Sequence, residues 1–524
     1  MASITNFTAN ASDRWGWWRW NRWSPRGTTA TAIENQSLRI DSDELRISAT
    51  ANSGWRTARA TGLLNSEVEY TGKAVSINTY AQGREAYSIG IDGSRLSLVG
   101  NDNKLVDINA TSRVFGYDPA WGLRHSSLST QGGDDIISIK ADAGILGGRF
   151  ANAAILATGL ESSSVNTGAG NDFVSLQSIA RGRTTATAYG SRDSSIDLGS
   201  GNDSLLINAS ATGGNWWRGG KVAAYGALNT TINTTGQTSE GVPQMGHENN
   251  SFLLLGFEEN PAVGNDNDSI VINASATNWG RGRRGYAEAI GLGDRSSINT
   301  GSGDDLINIT ARAVGASTNA WAMRDSKINA GSGDDSVTLT AFTQSRVWDP
   351  AYGASNSSIE LGSGNDQLTI NANARGNGRE IKAYGLEDSL VEAGWGNDEI
   401  KINVSAEGGN SRINKHSWEH IYSYESSGDR SHNNQREYSS TNQYGYNSSG
   451  KYSNSYDYNN SSSYDYDSNS QGSYNRENAY SYKNSYSYGN RWYNNSRNYE
   501  NSYLNSYDYD SSYNSSSSSN HSNS

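Results

Sequence analysis

Apolar and polar residues alternate along most of the first four hundred positions, and the alternation restarts at a near-constant interval. After Asp203 the apolar residues are Leu205, Ile207, Ala209 and Ala211; after Asp366 they are Leu368, Ile370, Ala372 and Ala374; after Asp398 they are Ile400, Ile402, Val404 and Ala406. A strict period of two is a strand with one buried face. The same order of two large and two small residues follows Asp43, as Leu45, Ile47, Ala49 and Ala51. It recurs as Val75, Ile77, Thr79 and Ala81, and as Val106, Ile108, Ala110 and Ser112, where Lys73 and Lys104 stand at the Asp position.

The resulting ladder is Asp43, Lys73, Lys104, Asp135, Asp172, Asp203, Asp268, Asp305, Asp335, Asp366 and Asp398. Its steps run from 30 to 37 residues except for one of 65, read as a repeat plus an insertion at about 236–263. A second ladder keeps the same register: Ser66, Ser94, Ser126, Ser163, Ser194, Thr230, Ser296, Ser326, Ser357 and Ser389. Tyr-Gly pairs, as at Tyr189-Gly190, Tyr225-Gly226, Tyr352-Gly353 and Tyr384-Gly385, sit just upstream of the serines.

A unit of about 31 residues with two or three short strands cannot close its own core and must stack on its neighbours. The pattern therefore predicts an all-β chain: a single parallel β-solenoid (β-helix) of about eleven ~31-residue coils. At ~4.8 Å per coil it would be roughly 50 Å long. Helical repeats do not fit a period of two, and about 31 residues is short for a four-stranded propeller blade. The expected organisation is a Trp/Arg-rich N-terminal cap and first partial coil over 1–35, the solenoid over 36–420, and a tail over 421–524.

Composition separates the tail from the rest. Of 30 Tyr, 21 lie between Tyr422 and Tyr513, in a Ser, Asn and Asp background with almost no aliphatic residue. Such a segment buries too little apolar surface to offset chain entropy and is expected to be disordered. Its Tyr-Asp-Tyr and Tyr-Ser-Tyr repeats suit weak self-association or surface attachment. The whole chain has no Cys, which excludes disulfides, Cys-ligated metals and thiol chemistry. The net charge of −12 argues against nucleic acid as a partner and for cations. No apolar run reaches 18 residues, so no transmembrane helix is expected. Met1 to Arg22 lacks an apolar core segment ahead of a cleavage site, so no secretory signal peptide is expected.

Chemistry concentrates at the Gly-rich corners. Gly168, Gly170 and Asp172 recur as Gly199, Gly201 and Asp203; Gly301, Gly303 and Asp305; Gly331, Gly333 and Asp335; Gly362, Gly364 and Asp366; and Gly394, Gly396 and Asp398, with degenerate copies ending at Asp135 and Asp268. Glycine permits a tight turn that aims carbonyl oxygens outward, and Asp adds a hard anionic ligand. Stacked corners would place ions between coils and relieve repulsion within the carboxylate column. Lys73 and Lys104 would supply fixed positive charge where no ion is expected. The alternative is a plain turn in which Asp caps backbone N–H groups.

These corners resemble the calcium-binding repeats of secreted bacterial repeats-in-toxin proteins, whose consensus is Gly-Gly-x-Gly-x-Asp-x-apolar-x. Gly199, Gly201, Asp203 and Leu205 match its second, fourth, sixth and eighth positions. The first Gly is absent (Leu198, Thr300, Ala330, Leu361), and the motif returns every ~31 residues rather than every nine. The resemblance implies Ca2+ as cofactor, at the glycines and aspartates just named, and folding after export to the cell exterior.

Trp55, Trp121, Trp216, Trp217, Trp279, Trp321 and Trp348 fall mostly 11 to 17 residues after a ladder position, and Arg gathers there too, including Arg218 and Arg283. Stacked, these loops would form an aromatic, cationic ridge able to bind an acidic polysaccharide or cell-surface glycan. Mutual stacking of Trp and Arg is the competing reading. For catalysis the chain offers little. Gly116–Gly122 loosely resembles the catalytic stretch of alginate epimerases but lacks its His and recurs at Val347–Gly353. His416 and His420, four apart, are the closest approach to a ligand pair. The expectation is a non-catalytic, secreted or cell-surface scaffold or adhesin. A polysaccharide lyase or epimerase, and a phage fibre or spike, are the alternatives.

Overall fold

The computed structural model describes residues 3–12, 27–54, 56–114, 116, 118–146, 154–214, 220–235, 266–280, 285–376, 380–408, 412–416 and 420–424, with tail segments at 443–446, 458–461, 476–486 and 497–507. The chain is a parallel β-solenoid, and each coil contributes one strand to each of three sheets. Sheet 1 has twelve strands, from Ile4–Ser12 to Glu399–Gly408. Sheet 2 runs from Thr28–Glu34 to Arg412–His416, and sheet 3 from Ser37–Ile40 to His420–Tyr424. Among the described residues there is no helix.

Register follows the sequence ladder. Leu45 pairs with Val75, Val75 with Val106, Val106 with Ile137, and so on to Leu368 with Ile400. The coil upstream of Asp43, whose sheet 1 strand is Ile4–Ser12, has Ser3 at the ladder position and Thr5 opposite Leu45, which weakens its signal. The inward residues of sheet 1, such as Ile47, Ile77 and Ile108, meet those of sheet 3, such as Val68, Leu96 and Leu128, in one continuous buried core.

Sheet 2 supplies the third wall and explains the Tyr-Gly pairs. At Gly190 an added Cβ would lie 2.2 Å from Cγ2 of Ile207 and 2.5 Å from the carbonyl oxygen of Gly226. Gly353 stands in the same relation to Ile370 and Gly385. The branched isoleucines of sheet 1 thus fill the space a side chain would need. The preceding Tyr points outward.

The chain turns three times per coil. The first corner leads from sheet 3 to sheet 1 through the Gly-Asp motif, the second from sheet 1 to sheet 2, and the third from sheet 2 to sheet 3 through the Ser ladder. The tail's first residues, through Tyr424, still pair in parallel with Leu390–Trp395, and the described segments beyond them do not extend the parallel stack. Gln443–Tyr446 pairs antiparallel with Arg412–His416, and Tyr458–Ser461, Arg476–Tyr486 and Arg497–Tyr507 form a separate antiparallel sheet. The insertion at 236–263 and the Trp-rich stretch 14–23 lie outside the described residues.

Candidate functional site

The Gly-Asp corner is built by backbone conformation and close inter-coil approach. Gly199 and Gly201 hold φ values of 88° and 124°, a region that favours glycine. Beside Gly201 a Cβ would lie 2.1 Å from the carbonyl oxygen of Gly170, one coil earlier. The same contact recurs between Gly364 and Gly333 at 1.8 Å. Successive coils therefore touch through their glycines.

Each ladder Asp then caps its neighbour. Oδ1 of Asp172 accepts the backbone N–H of Asp135, Oδ1 of Asp203 that of Asp172, and Oδ1 of Asp268 that of Asp203, each at 2.8 Å. The chain of bonds continues through Asp305, Asp335 and Asp366 to Asp398. A second column, missed in the sequence, runs beside it on the exposed side with opposite polarity. The N–H of Asn202 donates to Oδ1 of Asn171, that of Asn267 to Asn202, and that of Asp304 to Asn267. The signal was present as the Asn or Asp that precedes every ladder Asp from Asp135 onward.

The second carboxyl oxygen is where these aspartates depart from a plain turn. Oδ2 of Asp135, Asp172, Asp203, Asp268, Asp305, Asp335, Asp366 and Asp398 is buried without a hydrogen-bond partner. Burial pushes the carboxyls up: Asp203 to about 9, Asp335 to about 8, Asp268 to about 7, and Asp135, Asp305 and Asp366 to about 6. Asp172 and Asp398 are raised as well, again by burial. Where Thr130, Thr234 or Thr300 places a hydroxyl near the carboxyl, it opposes the rise at Asp135, Asp268 and Asp305. Thr167 does the same at Asp172. Asp203 and Asp335 are raised furthest, but the threonine does not decide this alone, since Asp366, with Leu361 at the equivalent position, is raised only to about 6.

This donor set can be weighed against calcium, which takes six to eight oxygens. The eight unpartnered Oδ2 atoms suit a hard cation. Two of the corner carbonyls are engaged, Gly168 O by Ser200 N and Ser200 O by Gly170 N, while Gly170 O lies against Gly201 of the next coil. Besides the buried Oδ2, corners with Asp304 or Asp334 in the outer column add an exposed carboxylate whose Oδ1 takes the next coil's N–H. Among the described residues no group of three or more His, Asp or Glu side chains is arranged to hold a metal.

The two ladder lysines differ. Lys73 is exposed, whereas Lys104 is 2 % exposed. Lys104 gives its backbone N–H to Asp135 Oδ1 at 2.7 Å and its Nζ to Val99 O at 3.2 Å. Its charge lowers the Asp135 carboxyl slightly, so it closes the aspartate column with a resident cation.

The Trp/Arg ridge is only partly where the sequence placed it. Trp121 and Trp321 lie in sheet 2 strands rather than in second-corner loops, because their outward positions continue the Tyr column. Trp321 stacks on Tyr352 at 5.4 Å and Tyr352 on Tyr384 at 4.7 Å; Tyr189 stacks on Tyr225 at 4.9 Å. Arg124 covers the ring of Trp121 at 4.8 Å, and Arg324 that of Trp321 at 5.2 Å. The faces of these rings are taken up between coils and by arginine, so the stacking reading describes them. Trp279 does lie at the second corner and is 70 % exposed. Its backbone is held by Gly213 O, and the adjoining Asn278 side chain bonds Gly220 O, Tyr286 O and Gly280 N. Trp55, Trp216, Trp217, Arg218 and Arg283, and the side chains of Trp348, His416 and His420, lie outside the described residues.

No family model matches this chain, and no curated protein is similar to it. What can be said of its work therefore rests on the geometry above.

Proposed function

We propose that this chain is a non-catalytic scaffold or adhesin acting outside the cell or on its surface. The observation that carries this reading is uniformity. The aspartate bonds run without a break from Asp135 to Asp398, and serine bonds recur at third corners from Ser66 to Ser389. A chain whose coils repeat the same contacts presents an extended surface rather than one distinct reaction centre. The test is incubation of the full chain with alginate and pectate. Both polymers are expected to stay uncut, with no new reducing ends or unsaturated uronates; steady cleavage would replace this reading with the enzymatic one.

Calcium is a second element of the proposal, favoured by the unpartnered Oδ2 column. Calcium drawn into that column would bring its further oxygens from water or from a rearranged corner. Thermal melts of the full chain in EGTA, then in millimolar calcium with magnesium as control, decide it. A rise in melting temperature specific to calcium is expected; identical melts in all three would remove calcium from the account and leave the scaffold.

A further inference from the structure

We propose that the third corner of the stack is a binding groove for an extended, uncharged polysaccharide lying along the rod axis. The proposal rests on the adhesive reading and gives it a ligand class and a place away from the Trp/Arg corner. The groove has a volume of about 1280 Å³ and is open along its length. Residues of seven successive coils line it, from Asn35 to Thr231. Seven coils at strand spacing make a trough roughly 30 Å long.

The trough follows from how the third corner turns. The residue before each ladder serine adopts the left-handed region, as at Asn65 (φ 46°), His125 (φ 50°) and Asp193 (φ 52°). The serine hydroxyl donates to the carbonyl two residues back, as Ser163 does to Glu161 O at 2.7 Å. It also accepts the N–H of the previous coil's serine, as Ser163 does from Ser126 at 3.2 Å. These two hydrogen bonds fix the turn, so the floor is preorganised. The trough ends after Thr231. In the next coil Asp294 and Arg295 both take positive φ, which changes the turn.

The chemistry of the wall selects the ligand. Ser127, Ser164, Ser195 and Thr231 pair in register as one column, and the structure gives their hydroxyls no side-chain partner. A hydroxyl is both donor and acceptor, as are the hydroxyls of a sugar. Glu67, Arg95, His125 and Asp193 are the titratable groups of the lining; their signs are mixed and they sit in separate coils, so no continuous field favours a polyanion. No large apolar side chain lines the trough, so peptide anchors have no pocket. A neutral chain of equatorial hydroxyls repeating along the axis fits what remains.

The test is calorimetric titration of the full chain with cellohexaose, an extended uncharged hexamer, and with cellobiose as length control. The hexamer is expected to bind at least tenfold more tightly than the dimer. Ser164→Tyr, which fills the trough from an outward position, should weaken the hexamer at least tenfold with the melting temperature unchanged. If that variant is destabilised, Ser195→Gln should show the same loss. Trp279→Ala should bind as the unaltered protein. Absence of hexamer binding at millimolar concentration overturns the proposal. Undiminished binding by the trough variants also overturns it, and in that case the adhesive reading survives with its ligand elsewhere on the rod.

Discussion

The first and third corners of the stack make equivalent turns with different atoms. At the third corner a neutral hydroxyl bonds one N–H and one carbonyl, and none of the ladder serines is left with an unpartnered buried oxygen. At the first corner a carboxyl bonds one N–H, and its other oxygen stays buried and unpaired in eight coils. Turning the chain therefore does not require a carboxylate, since serine accomplishes it at no electrostatic cost. The aspartates carry a burden that the serines avoid, eased in part by a neighbouring threonine hydroxyl in some coils and otherwise relieved by a proton or a cation.

The largest expected effect tests the glycine-to-carbonyl contact that the first corner makes and the third does not. Gly201→Val introduces a branched side chain at φ 124°, against the carbonyl of Gly170. It should destabilise by about 3 kcal/mol or more in urea unfolding. Asn65→Ala, at φ 46° in the third corner, should cost only about 1 kcal/mol by the same measurement.

Next in size is the response to pH. A carboxyl raised on folding holds its proton more tightly in the fold than in the open chain. Its stabilising share is complete below the ordinary carboxylate range, about pH 4, and is lost as pH climbs through the folded value. With folded values from about 6 to about 9, the protein in EGTA should melt progressively lower between pH 5 and pH 9. Asp203→Asn keeps an oxygen acceptor and removes the charge, so it should flatten the upper part of that curve. A melting temperature constant over this range would show that the aspartates are not the costly members of the pair.

Smaller still is Ser163→Ala, which strands the buried N–H of Ser126 and should cost about 1–2 kcal/mol at any pH. The smallest is Trp279→Ala, which should leave stability within about 0.5 kcal/mol, since the ring is solvent-exposed and Asn278 does the holding. These two can be read from the same urea series.

The sheets, the register and the core were legible because period-two burial at Leu205, Ile207 and Ala209 leaves no other geometry, and because equivalent residues recur at coil length. The Tyr-Gly pairs were visible as a pattern but not as a cause, since the clash of a Cβ with Ile207 exists only once two sheets face each other. The Asp ladder could be read as metal ligand or cap. Spacing alone does not say that one oxygen is bonded and the other is not. Trp121 and Trp321 were misplaced by a few residues because corner loops vary in length, and counting from Lys104 or Asp305 cannot say where loop ends and strand begins. The Asn and Asp column beside the ladder was overlooked because those residues are expected in any turn.

The opposite polarity of the two carboxamide and carboxylate columns has a consequence for the ends of the molecule. Each coil offers its aspartate backward, to the coil before it, and its Asn or Asp forward, to the coil after it. At the trailing coil the backbone N–H of Asp398 and the side-chain oxygen of Asn397 are what a further coil would answer, so each end of the paired columns carries one donor and one acceptor rather than a single kind. At the trailing end, Gln443–Tyr446 runs against Arg412–His416 in the wrong direction for another coil to follow, which gives sheet 2 its own terminator.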